Sequence, residues 1–143
     1  MEFGGKDLGA TGSCEAKGEE GKGAELIELI VDETIAAICS EAIGAMKVLN
    51  DATVEYCKTR KQFGQPIGKF QVLQHRMVDM FMEHEQSKSL MYMAAMRMDE
   101  GYSPEAQKAV SAFKVQVGKS GRFVGQNAVQ LHGGMGMTDE LNI

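Results

Sequence analysis

Three long stretches of helix-type apolar spacing, separated by two short breaker segments, constrain the fold of this chain most strongly. In each stretch the apolar residues recur at steps of three and four, which is the period of one face of an α-helix. The first breaker, residues 63–68, contains two glycines and a proline, and the second is Glu-Gly-Tyr at 100–102. No alternating pattern of strand length and no internal repeat occurs. The sequence therefore predicts an all-α fold with three long helices.

The helices are predicted at about residues 24–60, at about 70–99, and from Ser103 onward. Ser103 offers a hydroxyl cap, Pro104 stands where its missing N–H costs nothing, and Glu105 lies near the positive helix end. The predicted apolar stripes are, for the first helix, Ile27, Val31, Ile35, Ile38, Ala42, Ala45, Leu49, Ala52 and Tyr56; for the second, Leu73, Met77, Phe81, Met91, Ala95 and Met98; and for the third, Ala106, Val110, Phe113, Val117, Val124, Ala128 and Leu131.

Bundles of antiparallel helices usually close with four members, whereas this pattern supplies three. Three helices of roughly 40 Å would leave an apolar groove along their length. We expect a second copy of the chain to cover it, which makes a homodimer or higher homo-oligomer. Gly118, Gly121 and Gly125 lie inside the third helix, where each costs up to about 1 kcal/mol relative to alanine. We expect the close approach of another helix to offset that cost.

Composition limits the remaining classes of function. A chain of 143 residues suits one domain, which we place at residues 24–143, after a glycine-rich and charged tail or loop at 1–23. The formal charge of -5 argues against a nucleic-acid partner. No apolar run approaches the roughly 20 residues of a membrane span. Three cysteines without Cys-x-x-Cys spacing favour reduced thiols and a cytoplasmic location.

The sequence supports no metal site and no nucleophilic triad. None of the three histidines has a glutamate three residues before it, as the di-iron bundles require, and there is no Gly-x-Ser-x-Gly elbow. His84, with Glu83 and Glu85 beside it, is predicted to lie on a solvated polar face. The seven methionines in residues 77–98 are interpreted as core residues in preference to a copper or peptide site.

Two short segments at the ends of predicted helices carry the chemistry of a possible binding site. They are Arg-Lys-Gln-Phe-Gly at 60–64 and Gln-Leu-His-Gly-Gly-Met-Gly at 130–136. The guanidinium of Arg60 matches the oxygens of a diphosphate, and Phe63 offers a flat surface for a base. The glycines allow a ligand to approach the backbone. Alone, the glycine run is explained equally well as a helix C-cap.

Together with residues 52–59, 65–67 and 70–71, these segments resemble the C-terminal helical domain of the acyl-CoA dehydrogenases. The resemblance covers about residues 18–142. It implies a four-helix bundle that builds a dimer interface with FAD lying across it, in an enzyme that removes hydrogens from the α and β carbons of an acyl-CoA. By position it implies that Arg60, Gln62 and Gln130 hold the FAD diphosphate, that Phe63, Ile67 and Phe70 pack against the adenosine part, and that Leu131, Gly133 and Gly134 run beside the nucleotide.

The chain also departs from the family pattern. The helical and β domains that supply most acyl-CoA and isoalloxazine contacts in that family are not present in this sequence. The usual catalytic glutamate lies in a Glu-Gly-Thr segment that this sequence does not reach. The position of the alternative glutamate aligns with Thr34, and Glu33 should face elsewhere on the helix. The sequence therefore predicts no catalytic residue, and acyl-CoA as a partner only in a full-length context.

Three hypotheses follow. The first is the C-terminal domain of an FAD-dependent acyl-CoA dehydrogenase of fatty acid metabolism, which contributes FAD contacts and the dimer interface but is inactive alone. The second is a non-catalytic helical dimerisation or assembly module. The third is a methionine-rich peptide-binding bundle.

Overall fold

The structure is a computed structural model that describes residues 23–138, and three long α-helices dominate this part of the chain. Helix α1 spans Gly23–Thr59, α2 spans Gln71–Asp99 and α3 spans Pro104–His132. The all-α fold class and the number of long helices are confirmed, and the helix ends agree with the predicted ones to within one or two residues. The predicted tail at residues 1–23 lies outside the described part except for Gly23.

The packing contacts divide the chain into two units, Met1–Thr34 and Ile35–Ile143. The described part of the first unit is the beginning of α1, where Leu26 and Ile27 are exposed. The second unit holds the rest of α1, both other helices and the hydrophobic core.

Helix α3 supplies the centre of that core. Its N-terminus is capped as predicted, because the Ser103 hydroxyl accepts a hydrogen bond from the Ala106 N–H at 3.2 Å. All members of its predicted stripe are buried, and Phe113 is the largest fully buried side chain in the described part of the chain. The stripe of α3 is therefore confirmed.

The predicted stripes of α1 and α2 are correct in part. Seven of their members pack against the core while half-buried: Ile35, Ala42, Leu49, Leu73, Met77, Met91 and Met98. In α1 the predicted positions 38, 42, 45, 52 and 56 each precede a buried residue, and Ile38 is 61% exposed. One residue turns a helix by about 100°, so the most deeply buried face lies next to the predicted one. Several residues of that face are polar or weakly apolar, and a search for apolar spacing does not detect them. The buried residues are Cys39, Ile43, Met46, Thr53 and Cys57 in α1, and Met80, His84, Ser87 and Ala94 in α2.

A polar network connects α2 to α3, and it corrects the prediction for His84. The His84 ring is only 6% exposed, with its Nδ1 3.1 Å from a Glu85 carboxylate oxygen. Glu83 accepts hydrogen bonds from the buried Ser120 hydroxyl at 2.6 Å and from the Gln116 amide at 3.1 Å. His84 and Glu83 therefore do not lie on a solvated face, whereas the Glu85 side chain is 40% exposed.

The glycines of α3 do not have the predicted close neighbour. A Cβ atom built on Gly118, Gly121 or Gly125 would meet no atom of the described chain within 4 Å. Each glycine follows a buried residue by one position, which turns it about 100° away from the packed face. The cost of these glycines to helix stability is therefore not offset by packing within the described part of this chain.

A short β-hairpin joins α1 to α2, and the sequence did not reveal it. Strands β1, Lys61–Gln62, and β2, Gln65–Pro66, pair antiparallel. Phe63 and Gly64 form the turn with φ angles of 55° and 79°. Two consecutive positive φ angles are what a tight two-residue hairpin needs to match the twist of its strands. Strands of two residues are too short to produce an alternating pattern.

The described residues contain no group of side chains that could hold a metal ion. In the same part of the chain, no helix is both long and apolar enough to cross a membrane. Cys39 and Cys57 are free thiols, and burial raises the pKa of each, with Lys114 partly opposing the rise at Cys39. Both sulfurs are therefore protonated and unreactive at neutral pH, whereas Cys14 lies outside the described residues.

Replacing the cap of α3 should destabilise the fold measurably. Ser103→Ala removes the acceptor for the Ala106 N–H, and we expect a loss of about 1 kcal/mol in the free energy of unfolding by urea. Ser111→Ala, an exposed position inside the same helix, is the matched control and should cost nothing. Equal losses in the two variants would contradict this role of Ser103.

Candidate functional site

The hairpin fixes the position of Arg60 at the end of α1. The Arg60 N–H donates to the Tyr56 carbonyl, and the Arg60 carbonyl accepts from the Ile67 N–H, both at 2.8 Å. The backbone of Arg60 is therefore hydrogen-bonded to the helix on one side and to the segment after the hairpin on the other. Gly68 lets that segment lie against α1, since a Cβ there would be 3.0 Å from the Cys57 carbonyl oxygen.

The glycine run at 133–136 ends α3 and turns the chain sharply. Gly133 has a φ of 61°, and a 3₁₀ turn follows at Gly133–Met137. A Cβ on Gly136 would lie 2.8 Å from the Val129 carbonyl oxygen, so this position requires glycine. A Cβ on Gly134 would meet no atom within 4 Å. Gly136 therefore serves the fold, whereas the fold itself does not demand glycine at 134.

A contact between Tyr56 and His132 brings the two helix ends together. Their ring centroids are 4.3 Å apart, and the Tyr56 hydroxyl donates to the His132 carbonyl at 3.4 Å. His132 Nδ1 lies 2.8 Å from the Ala128 carbonyl oxygen. A carbonyl can only accept, so Nδ1 donates, and Nε2 is left as an acceptor when the ring is neutral. The end of α1 and the glycine turn after α3 are thereby held side by side.

An open cleft of about 450 Å³ lies where these two segments meet. Tyr56 and His132, which are 76 positions apart in the chain, both line it. Its lining includes seven of the residues predicted for the site: Arg60, Gln62, Ile67, Gln130, Leu131, Gly133 and Gly134.

Phe63 and Phe70 are the two predicted residues that do not line this cleft. Their rings form an edge-to-face pair with centroids 6.1 Å apart. Phe63 is at the tip of the hairpin and is 91% exposed, in a backbone conformation that a bulky residue rarely adopts. The structure thus brings the predicted adenosine-side residues Phe63 and Phe70 together next to the hairpin, outside the cleft.

The cleft also contains residues that the sequence did not single out: Tyr56, Leu73, His132 and Met135. For two of them, the position in the sequence relative to predicted site residues was a usable signal. Tyr56 lies one helical turn before Arg60, on the same side of α1. His132 lies between two residues already predicted for the site, but it was examined only as a metal ligand.

The charge of the cleft suits an anion. None of the described residues that line it carries a carboxylate, and the ion pairs found among residues 23–138 do not include Arg60 or Lys61. An unpaired guanidinium next to exposed glycine backbone can donate several hydrogen bonds to phosphate oxygens, each worth about 1.5–3 kcal/mol when charged. The arrangement can therefore bind a diphosphate.

The described residues that line the cleft include no carboxylate that could take a proton from carbon. The buried Cys57 thiol near the hairpin has a raised pKa caused by burial. In the first unit, the Thr34 hydroxyl donates to the Ile30 carbonyl of its own helix at 2.7 Å. A hydroxyl is no base near neutral pH. The described residues of the cleft thus support binding and supply no carboxylate base.

The sequence matches the model of one protein family, described as the acyl-CoA dehydrogenase C-terminal domain, over residues 21–143. The chain belongs to the acyl-CoA dehydrogenase family. The resemblance seen in residues 60–64 and 130–136 is thereby confirmed.

Curated relatives in this family are several times longer than the chain. The short-chain specific acyl-CoA dehydrogenase of Megasphaera elsdenii is 36% identical over 123 residues, which are 86% of this chain and 32% of the relative. An L-prolyl-[peptidyl-carrier protein] dehydrogenase of a Serratia strain is 36% identical over 101 residues, 71% of this chain and 26% of the relative. The chain thus spans about a third or less of these relatives.

Solved structures of the family contain the same helical arrangement. The butyryl-CoA dehydrogenase of Megasphaera elsdenii superposes with a TM-score of 0.81 at 32% identity, covering 87% of this chain and 32% of the other. A structure described as PigA with FAD and proline gives a TM-score of 0.71 at 30% identity, covering 75% and 27%. Helices α1 to α3 therefore have the family's C-terminal helical fold.

Two of the three glycines in the turn after α3 should respond differently to a methyl group. Gly136→Ala forces a Cβ against the Val129 carbonyl, and we expect a loss of at least about 1 kcal/mol in the free energy of unfolding. Gly134→Ala has open space and should unfold at the same urea concentration as the unmodified chain. A Gly136→Ala variant of full stability would show that the turn is not packed as described.

Proposed function

We propose that this chain acts as the C-terminal domain of an FAD-dependent acyl-CoA dehydrogenase, which oxidises acyl-CoA to enoyl-CoA. In this role it contributes FAD contacts and a subunit interface, and it does not complete the oxidation alone. The observation that carries the proposal is the single cleft shared by the segments at 60–62 and 130–134. Membership of the family and the FAD named in the description of one structural relative support it.

The residues of the cleft fit the diphosphate of FAD. Arg60 supplies a positive charge, and Gln62 and Gln130 supply amide donors, of which the Gln62 amide also donates to the Lys61 carbonyl at 2.8 Å. An ion pair with a local carboxylate would weaken such a site, and none involving Arg60 is found among residues 23–138. When bound, the flavin would accept the hydride that leaves the acyl chain.

A bound FAD would also need to approach the backbone closely, and the glycine turn allows this. Gly133 and Gly134 present main-chain atoms without side chains, and Leu131 and Ile67 add apolar side chains to the lining of the cleft. Since nothing in the fold requires glycine at 134, we assign its small size to the ligand.

Phe63 and Phe70 form the proposed surface for the adenosine part. Their rings form an edge-to-face pair, and the 91% exposure of Phe63 leaves a ring face free for stacking. We propose that the rest of the FAD is housed by the neighbouring subunit, since the described residues offer only one wall of a site.

The remaining assignments complete this proposal. Residues 24–143 are the bundle domain, and 1–23 are a tail or connecting loop. Acyl-CoA is a partner only within a full-length enzyme, and neither nucleic acid nor membrane is a partner, in keeping with the net charge of -5. We place the protein in the cytoplasm, because its free buried thiols Cys39 and Cys57 suit a reducing compartment.

A non-catalytic assembly module is the alternative function. One observation favours it: many large apolar side chains of α1 and α2 are exposed in the isolated chain, as expected of a surface built for association. The two functions differ in flavin binding, because a pure assembly module needs no FAD.

Flavin retention should depend on Arg60. After incubation with FAD and gel filtration, we expect flavin absorbance near 450 nm to co-elute with the chain and to fall about tenfold or more for Arg60→Ala. Lys61→Ala is the matched control, since Lys61 is an adjacent cation outside the cleft lining, and it should retain flavin. Absence of flavin from the unmodified chain, or equal retention by Arg60→Ala, would favour the assembly module.

We expect Phe63 to destabilise the fold through its positive φ angle and to strengthen FAD binding through its ring. Asparagine tolerates a positive φ far better than phenylalanine, so Phe63→Asn should raise the free energy of unfolding by about 1 kcal/mol and weaken FAD binding. Phe63→Leu keeps the backbone strain and lacks the ring, so it should weaken binding without any gain in stability. Titration of FAD fluorescence and urea unfolding measure the two effects. Full FAD affinity in both variants would exclude Phe63 from the site.

A further inference from the structure

His132 is a buried histidine with one ring nitrogen that has no partner in the described part of the chain. The residue is only 4% exposed, and it lines the cleft. Its Nδ1 donates to the Ala128 carbonyl, and no hydrogen bond to Nε2 is found among residues 23–138. Within the same residues, Asn50 Oδ1 is the one fully buried side-chain polar atom without a partner, so Nε2 is not completely enclosed. Since His132 borders the cleft, Nε2 is accessible from it.

The charge on the imidazole decides what Nε2 can do in this cleft. With Nδ1 fixed as a donor, a neutral ring presents a lone pair at Nε2, and it gains an N–H there only when it is protonated. A lone pair repels the oxygens of a phosphate, which are also acceptors. The N–H of an imidazolium instead donates a charge-assisted hydrogen bond to them. A diphosphate can therefore bond to Nε2 only if the ring is charged.

The cleft has a use for a second positive charge. The diphosphate of FAD carries one negative charge on each phosphate, and Arg60 is the only permanently charged side chain among the described residues that line the cleft. The other titratable side chain from α1 is Tyr56, and α2 contributes only the apolar Leu73. Neither the hairpin nor the turn after α3 adds an ionisable group to the described lining. Arg60 thus leaves one of the two phosphates without a charged partner.

The surroundings of His132 suit a positive charge. His132 is the last residue of α3, where the partial negative charge of a helix C-terminus stabilises a cation. The Tyr56 ring lies against the imidazole, with centroids 4.3 Å apart and planes inclined by 33°. The negative face of an aromatic ring also attracts a cation. An anion within hydrogen-bond reach would favour the charged ring further.

We propose that His132 takes up a proton when the cleft binds a diphosphate, and that it donates a hydrogen bond from Nε2 to a phosphate oxygen. The proposal rests on the proposed function, because it concerns the same cleft, and it adds one binding residue and a dependence on pH. The proton comes from the solvent, and no covalent bond of the ligand forms or breaks. Since the complex holds one proton more than the free chain, binding weakens as the pH rises.

FAD affinity at two pH values tests this linkage. Titration of FAD fluorescence should give a dissociation constant about tenfold larger at pH 8 than at pH 6. A guanidinium, a phenol and a diphosphate diester do not change charge in this range, whereas a histidine does. His132→Phe keeps a ring against Tyr56 and should bind FAD weakly and equally at both pH values. His75→Gln, at an exposed position of α2 outside the cleft lining, is the matched control and should keep the tenfold difference.

Two measurements on the unmodified chain do not depend on the folding of a variant. Calorimetric titration at pH 7.5, in two buffers with different enthalpies of ionisation, counts the protons taken up, and we expect about one for each FAD bound. Nitrogen-15 NMR of the His132 ring should show a proton on Nδ1 alone in the free chain and on both nitrogens in the complex.

The possible failures of this proposal and of the proposed function can be told apart. FAD binding without proton uptake, and with equal affinity at pH 6 and pH 8, would overturn the role of His132 and leave the FAD role of the cleft standing. Proton uptake that persists in a folded His132→Phe variant would also overturn it, because another group would then be the one that titrates. Absence of FAD binding at both pH values would overturn both proposals.

Discussion

The contact between Tyr56 and His132 is the interaction on which the site depends. It joins the end of α1 to the end of α3, with ring centroids 4.3 Å apart and a hydroxyl that reaches the backbone of the glycine turn. Arg60 follows Tyr56 by one helical turn, and Gly133 follows His132 directly. This contact holds the two helix ends together, so the cation and the bare backbone line one cleft.

The sequence predicted the fold class, the helix ends and the family, because these depend on local signals. The cap at Ser103, the breakers at 63–68 and the stripe of α3 all act within a few residues. The packed faces of α1 and α2 were predicted only in part because Cys39, Thr53, His84 and Ser87 occupy them, and polar residues in a core are not visible as apolar spacing. The hairpin at 61–66 was missed because it is too short to show a pattern.

Some residues of the cleft could be predicted from local sequence, whereas the role of others depends on a contact with a distant residue. Residues 60–62 and 130–134 were chosen for their chemistry, and the fold brings them together. Tyr56 and His132 escaped notice because their importance lies in a contact across 76 residues of sequence, which no local pattern reports. The predicted stripe residues that are exposed in the structure are also informative. Apolar residues such as Ile38 and Phe81 remain exposed next to the core, as expected for a bundle that other protein surfaces complete.

The central claim is that one nucleotide contacts both motifs at once. Amide and side-chain NMR spectra of the chain, recorded during titration with FAD, test it most directly because they report on each of the two segments separately. The account predicts that signals of Arg60, Gln130, Gly133 and Gly134 shift together, with a single dissociation constant. Shifts confined to one of the two segments, or absent from both, would contradict it.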